Sequence, residues 1–120
     1  MKKSIAFVFS NSPYGKYISC EGINIILSLA IGIKNIGIFF IEDGILQLLK
    51  SQKPEIFFLN NYVFLFKILP TFNICNFFFC LQSSQERGIY NDKNFIIKGS
   101  FLKENEIKEK IHQFDIIFKW

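Results

Sequence analysis

Short apolar runs that lack polar alternation constrain this chain more than any other feature. They are Ser4–Ser10, Gly37–Ile41, Ile74–Cys80, Asn94–Lys98 and Asp115–Lys119. A strand with one wet face alternates apolar and polar residues. A strand without that alternation is buried on both faces, which is the condition of a parallel sheet. Parallel neighbours need crossover segments between them, and the stretches separating these runs read as helices and loops. The expectation is an α/β fold. It is a single domain over residues 1–120, three layers α/β/α, with a mainly parallel five-stranded sheet.

The crossover segments carry their own signals. After Ser10, Asn11–Gly15 is turn chemistry. A helix then opens at Ser19 or Cys20, with Glu21 in its first turn, where a carboxylate suits the helix dipole. Ile23, Ile26, Leu27, Ala30 and Ile31 form one stripe at helical spacing, and Ile25, Leu29 and Ile33 make the other side apolar. A helix greasy all round is covered on more than one side. Glu42-Asp43-Gly44 ends the second strand and Ile45–Leu49 reads as a short helix. Asn60 or Asn61 caps a helix over Tyr62–Leu69, with Pro70 as its stop. Leu81–Arg87 is helix-compatible, with Gly88 placed to end it. Lys103–Phe114 is amphipathic. Phe101, Leu102, Ile107, Ile111 and Phe114 lie on one face, and the i,i+4 pairs Glu104–Lys108 and Glu106–Lys110 on the other.

Composition excludes several classes. Half the residues are apolar and a fifth charged, which excludes a disordered segment. Three cysteines in 120 residues do not make a disulfide scaffold. Ile, Phe, Lys and Asn make up half the chain, a composition favoured by AT-rich codons, so single residues of these types carry little functional information. The net charge is +4, but the lysines are spread from Lys2 to Lys119 with no run longer than Lys2–Lys3. That distribution gives no basic face for nucleic acid. The run Ile5–Phe9 is too short for a signal-peptide core. The most membrane-like window, Gly22–Ile41, is split by Lys34-Asn35 into a helix-length and a strand-length piece. The reading is a cytoplasmic protein with an unusually apolar surface. A small membrane-associated protein is the alternative that hydropathy alone would support.

In open parallel sheets, sites gather at the carboxyl ends of the strands. That rule places Asn11–Cys20, Glu42–Gly44 and Cys80–Ser84 on one rim. Cys80 stands where a strand ends and a helix begins, a setting that favours thiolate. The competing reading is a buried cysteine acting as a small apolar filler among Phe77, Phe78 and Phe79. Cys20, near a helix start, shares both readings, whereas Cys75 falls early in its strand and reads as packing. Glu42 and Asp43 are either acid–base groups or the residues that close a turn. His112 has no Ser or Cys partner nearby in sequence. The spacing Cys75-x4-Cys80 is not that of a structural zinc pair, and no phosphate-binding glycine motif is present. The expectation is no metal, no cofactor and no assured catalytic residue, with Cys80 as the candidate.

The residues nonetheless match a known pattern. The stretches are Ile5–Ser10, Pro13, Gly15, Glu21-Gly22 and Phe39–Gly44, continuing with Gln47–Leu49, Gln52 and Pro54. Phe66-Lys67, Leu69, Cys80 and Glu86–Gly88 follow. On these residues the chain resembles the DsrE/DsrF-like family of sulfur-relay proteins over its whole length. The resemblance implies a subunit that joins TusB- and TusD-like chains in a heterohexamer, a dimer of trimers. Such a complex takes persulfide sulfur from TusA and passes it with TusE toward MnmA, which 2-thiolates the wobble uridine of certain tRNAs. It implies no direct tRNA contact and no membrane. The family's sulfur carrier lies in a Cys-x7-Gly pattern on the TusD-type subunit. Cys80 and Gly88 have that spacing here, although in chains of this branch that position is not generally the essential carrier. The resemblance therefore implies a structural, non-catalytic subunit, with a persulfide-carrying Cys80 as the alternative.

The first helix, with Phe57, Phe58, Tyr62, Phe64 and Phe66, offers more apolar surface than one core of this size absorbs. The chain is expected to be poorly soluble alone and stable with TusB- and TusD-like partners. Sedimentation of the isolated chain as a well-behaved monomer at high concentration would contradict this.

Overall fold

In the computed structural model of the chain, residues 3–10, 18–29, 32–33, 35–48, 68–72, 74, 76–91, 93, 95 and 97–119 are described. The strands are β1 (Ser4–Phe9), β2 (Asn35–Phe40), β3 (Asn76–Cys80), β4 (Ser100–Leu102) and β5 (Ile116–Lys119). The helices are α1 (Ile18–Leu29), α2 (Leu81–Glu86) and α3 (Glu104–His112), with 3-10 helices at Glu42–Leu48 and Leu69–Phe72. The strands form one all-parallel sheet in the order β4-β3-β2-β1-β5.

That order decides where the helices lie. From β1 to β4 the chain steps across the sheet in one direction, and right-handed crossovers then put the described intervening segments on the same face. Ile26 of α1, Ile45 and Leu48, Leu69, Ile74, Phe95 and Ile97 all pack there, against Ile5, Phe7, Phe9, Ile36, Ile38, Phe40, Phe77 and Phe79. The step from β4 back to β5, beside β1, runs the other way, so α3 lands on the opposite face. Its Ile107 is buried, and Ile111 and Phe114 are partly so, against Ala6, Val8, Phe39 and Cys80. The pleat sorts neighbouring residues between the two faces. Phe101 packs in the first cluster and Leu102 in the second.

All six residues of β1 are buried, as are five of six in β2, which is the burial that the missing alternation requires. Phenylalanines stack between adjacent strands, Phe9 on Phe40 at 5.5 Å and Phe39 on Phe78 at 4.9 Å. The fold class read from the sequence is the one observed, with one strand displaced. The fourth strand is Ser100–Leu102 and not the expected Asn94–Lys98, of which Asn94 and Ile96 lie outside the described residues. Phe95 and Ile97 are both buried in the first cluster, the former edge-on to Phe79 at 5.0 Å; Phe95 makes a single bridge, and these two residues pack over the sheet without forming a strand of it. The strand begins only after Gly99, where a Cβ would lie 2.5 Å from the Phe77 carbonyl oxygen. The chain can approach β3 there because that residue has no side chain.

Smaller differences follow from local chemistry. Of the helix expected before Pro70, Ile68 is α-helical, and the chain passes at Leu69 into the 3-10 turn Leu69–Phe72, whose backbone tolerates the missing donor of Pro70 near its start. Most of the helix expected over Tyr62–Leu69, and the aromatic residues Phe57 to Phe66, lie outside the described residues. The Glu104–Lys108 pair forms at 3.5 Å. Glu106 instead turns back to accept from the Lys103 amide at 3.0 Å, which caps α3, and Lys110 lies over the Phe78 ring. The Gly22–Ile41 window divides into part of α1 and β2, and among the described residues no helix is long and apolar enough to cross a membrane.

Two glycines test this packing. A Cβ on Gly44 would lie 1.9 Å from the Phe9 carbonyl oxygen, whereas Gly88 has open space but a φ of +75°. Gly44→Ala is expected to destabilise the fold by about 3 kcal/mol or more, the upper end for overpacking. Gly88→Ala should cost only about 1 kcal/mol, for a left-handed residue with a side chain. Urea unfolding at constant slope measures both.

Candidate functional site

The carboxyl ends of β1, β2 and β3 bring the Glu42–Gly44 turn beside Cys80–Ser84, as the sheet rule requires. The Ile41 amide donates to the Phe9 carbonyl at 3.0 Å, and the Gly44 amide to the Ile41 carbonyl at 2.9 Å. These bonds draw the chain off β2 straight into its 3-10 helix. Glu42 takes a left-handed conformation (φ 51°), and its amide donates to Ser83 Oγ at 2.9 Å.

Cys80 ends β3 and is the N-cap residue of α2, with its side chain 3% exposed. The thiol makes no capping hydrogen bond. It packs in the cluster of Ala6, Val8, Phe39 and Ile107, with Phe78, Leu102 and Ile111 around them. Its carbonyl accepts from Ser84 Oγ at 3.0 Å. At the far end of α2, the Gly88 amide donates to the Gln85 carbonyl and the Ile89 amide to the Ser84 carbonyl, at 3.0 and 2.8 Å. This is a Schellman closure around a left-handed glycine. The Cys-x7-Gly spacing thus measures one short helix from its first cap to its last.

Arg87 joins the two sides of the rim. Its Nε and Nη2 donate to Asp43 Oδ1 at 3.0 and 2.8 Å, and its Nη1 donates to the Ser83 carbonyl at 2.9 Å. Asp43 is therefore bonded to a guanidinium and Glu42 is held through its amide, the turn-closing arrangement of the two readings open for this pair. The sequence did not single out Ser83 or the Arg87–Asp43 bond. The residues lie 44 apart, and only the parallel pairing of β2 with β3 sets their ends side by side.

The remaining candidates are scattered. Cys20 lies in α1, with its backbone alone described, and Cys75 and Asn11–Gly15 fall outside the described residues. His112 is exposed at the end of α3, remote in the fold from the rim. Among the described residues no three His, Cys, Asp or Glu side chains gather as they would around a metal ion.

The profile of the DsrE/DsrF-like family matches residues 3–120. The chain belongs to the DsrE/DsrF-like family. It is 45% identical to Protein TusC of Buchnera aphidicola subsp. Baizongia pistaciae over 118 residues, 98% of this chain and 99% of that protein. It is 39% identical to Protein TusC of Buchnera aphidicola subsp. Acyrthosiphon pisum over 118 residues, with the same coverage. The fold matches the crystal structure of the ychN protein from E. coli with a TM-score of 0.78 and 20% identity, over the full length of both chains. In this DsrE/DsrF-like chain, hydrogen bonds tie the Glu42–Asp43 turn to Ser83 and Arg87 at the rim, and the Cys80 thiol is buried on the face under the last helix.

The Arg87–Asp43 bond is expected to tie the 3-10 turn to α2. Asp43 is 56% exposed at its side chain, so a double-mutant cycle with Arg87→Met and Asp43→Asn should give a coupling of only about 0.5–1 kcal/mol. The coupling should shrink as salt is raised.

Proposed function

We propose that this chain is a structural, non-catalytic subunit of a TusBCD-like sulfur-relay complex. It joins TusB- and TusD-like subunits in a heterohexamer, a dimer of trimers, and works in the cytoplasm as one domain over residues 1–120. The complex accepts persulfide sulfur from TusA and passes it with TusE toward MnmA for 2-thiolation of the tRNA wobble uridine.

The observation that carries the non-catalytic assignment is the burial of Cys80. A carrier thiolate attacks the outer sulfur of a donor persulfide, forming Cys–S–SH and releasing the donor's thiolate. The donor sulfur must reach van der Waals contact with Sγ. A side chain 3% exposed and packed with Val8, Phe39 and Ile107 offers no such approach. The arginine seven residues on donates to Asp43 and to the Ser83 carbonyl. Support for the assembly comes from apolar side chains left at the surface. Ile25 on α1 and Ile117 and Phe118 on the edge strand β5 are 37–44% exposed.

The second reading, a persulfide-carrying Cys80, draws on the Cys-x7-Gly spacing. The experiment that separates the two is Cys80→Ser in a strain lacking the native copy. Wobble-uridine thiolation should be retained. Loss of thiolation with the complex still assembled would make this chain a carrier in its own right.

A further inference from the structure

The sheet has two edges, β4 and β5, and they are guarded differently. β4 has three residues, with Phe101 and Leu102 half-buried and Lys98 and Lys103 close on either side. β5 carries Ile116, Ile117 and Phe118 in succession, with Ile117 44% and Phe118 37% exposed. Edge strands ordinarily use a charge, a proline or a bulge against pairing with another chain. The only charge in β5 is Lys119, at its end.

The backbone direction of this edge follows from β1. The Ser4 amide donates to Asp115 Oδ2 at 2.9 Å, on the β5 side, while the Phe9 carbonyl accepts from the Ile41 amide, on the β2 side. Alternate residues of a strand turn their amides and carbonyls to opposite sides, so Ala6 and Val8 face β5 as Ser4 does. Ala6 stands opposite Ile117. In a parallel pair its two groups then bond to Ile116 and Phe118. The amide and carbonyl of Ile117 therefore point away from the sheet. Side chains alternate as well. Ile116 and Phe118 lie on the α1 face, the latter stacked on Phe7 at 5.5 Å, and Ile117 and Lys119 lie on the α3 face with Ala6.

The segment Asp115–Lys119 is self-complementary about its centre. Consider a two-fold axis through Ile117, perpendicular to the sheet. Ile117 then exchanges both backbone bonds with Ile117 of the other copy, Ile116 stands opposite Phe118, and Asp115 stands opposite Lys119 at both ends. Each pair shares a face, and opposite charges meet across the strands. Asp115 uses Oδ2 for both its bonds from Ser4, and neither its Oδ1 nor the Lys119 ammonium has an ion pair among the described residues. An axis through Phe118 would also suit the backbone, but it sets Lys119 against Ile117 and leaves Asp115 without its cation. We propose that β5 is a homotypic interface, at which two copies of this chain join their sheets edge to edge, antiparallel, about Ile117. The proposal is independent of the sulfur-relay reading, which thiolation tests separately.

The test is cysteine cross-linking of the full chain, alone and co-expressed with TusB- and TusD-like subunits. In the paired strands the two Ile117 Cα atoms are about 5.5 Å apart, within reach of a disulfide. The two Phe118 Cα atoms are about 8 Å apart, beyond it. Under mild oxidation Ile117→Cys should give a dimer joined through position 117 of both copies, as mass spectrometry of the linked peptide reads. Phe118→Cys should not. In sedimentation equilibrium, Lys119→Glu should weaken self-association about tenfold, since two attractive pairs become repulsive, and Lys119→Arg should leave it unchanged. All three side chains are exposed, and an unchanged melting temperature certifies each variant as folded. A chain that stays monomeric, or an Ile117→Cys link to another subunit alone, would overturn the proposal. Cross-linking of Phe118→Cys as fast as Ile117→Cys would overturn it too, by moving the axis off Ile117.

Discussion

A parallel sheet has no solvent face, and the rest of this structure follows from satisfying that condition in about 120 residues. Each central strand has to be apolar on both sides, so side chains that would face water in an antiparallel sheet must find a covering layer. Phenylalanine fills most of these places. Phe9, Phe40 and Phe79 line one face across β1, β2 and β3, while Phe39 and Phe78 line the other. Each buried ring contributes about 1.5–3 kcal/mol from lost water contact. Stacking between adjacent strands also ties the register to the rings, since a slip by one residue would send every ring to the opposite face.

The same condition explains the thiol. Cys80 has the parity of Phe78, so its side chain belongs to the face under α3, and Ile107 and Leu102 cover it there. Its place at a strand-to-helix junction is the place of a reactive cysteine; its direction is that of a core residue. At the rim, backbone and arginine bonds join the Glu42–Asp43 turn to α2 and Arg87. The structure thus separates two properties that the sequence presents together, position at the rim and access to it.

Most of the sheet was legible because burial on two faces writes itself as runs without alternation, and β1, β2, β3 and β5 fall where those runs lie. The fourth strand was not legible for the same reason. Asn94–Lys98 has the composition of a buried strand because Phe95 and Ile97 are buried, but they are buried as a covering layer. Ser100–Leu102, an edge strand of three residues, has no run to show. Gly88 was readable as a helix end, since only a left-handed turn calls for glycine there. The cavity under α3, lined by Ser4, Asn35, Asn76 and Lys110, was not, because these are ordinary polar residues far apart in sequence. Parallel register pairs Ser4 with Asn35 and sets Asn76 beside Gly37.

The central claim is that the thiol of Cys80 is packing and not chemistry. Persulfide trapping tests it most directly. The proposed complex is loaded with sulfur from its donor, alkylated under native conditions, digested and read peptide by peptide by mass spectrometry. The account predicts a trapped persulfide on a partner subunit and an unmodified Cys80, alkylated only after the chain is unfolded. A persulfide adduct on Cys80 at a stoichiometry comparable to that on the partner would contradict it.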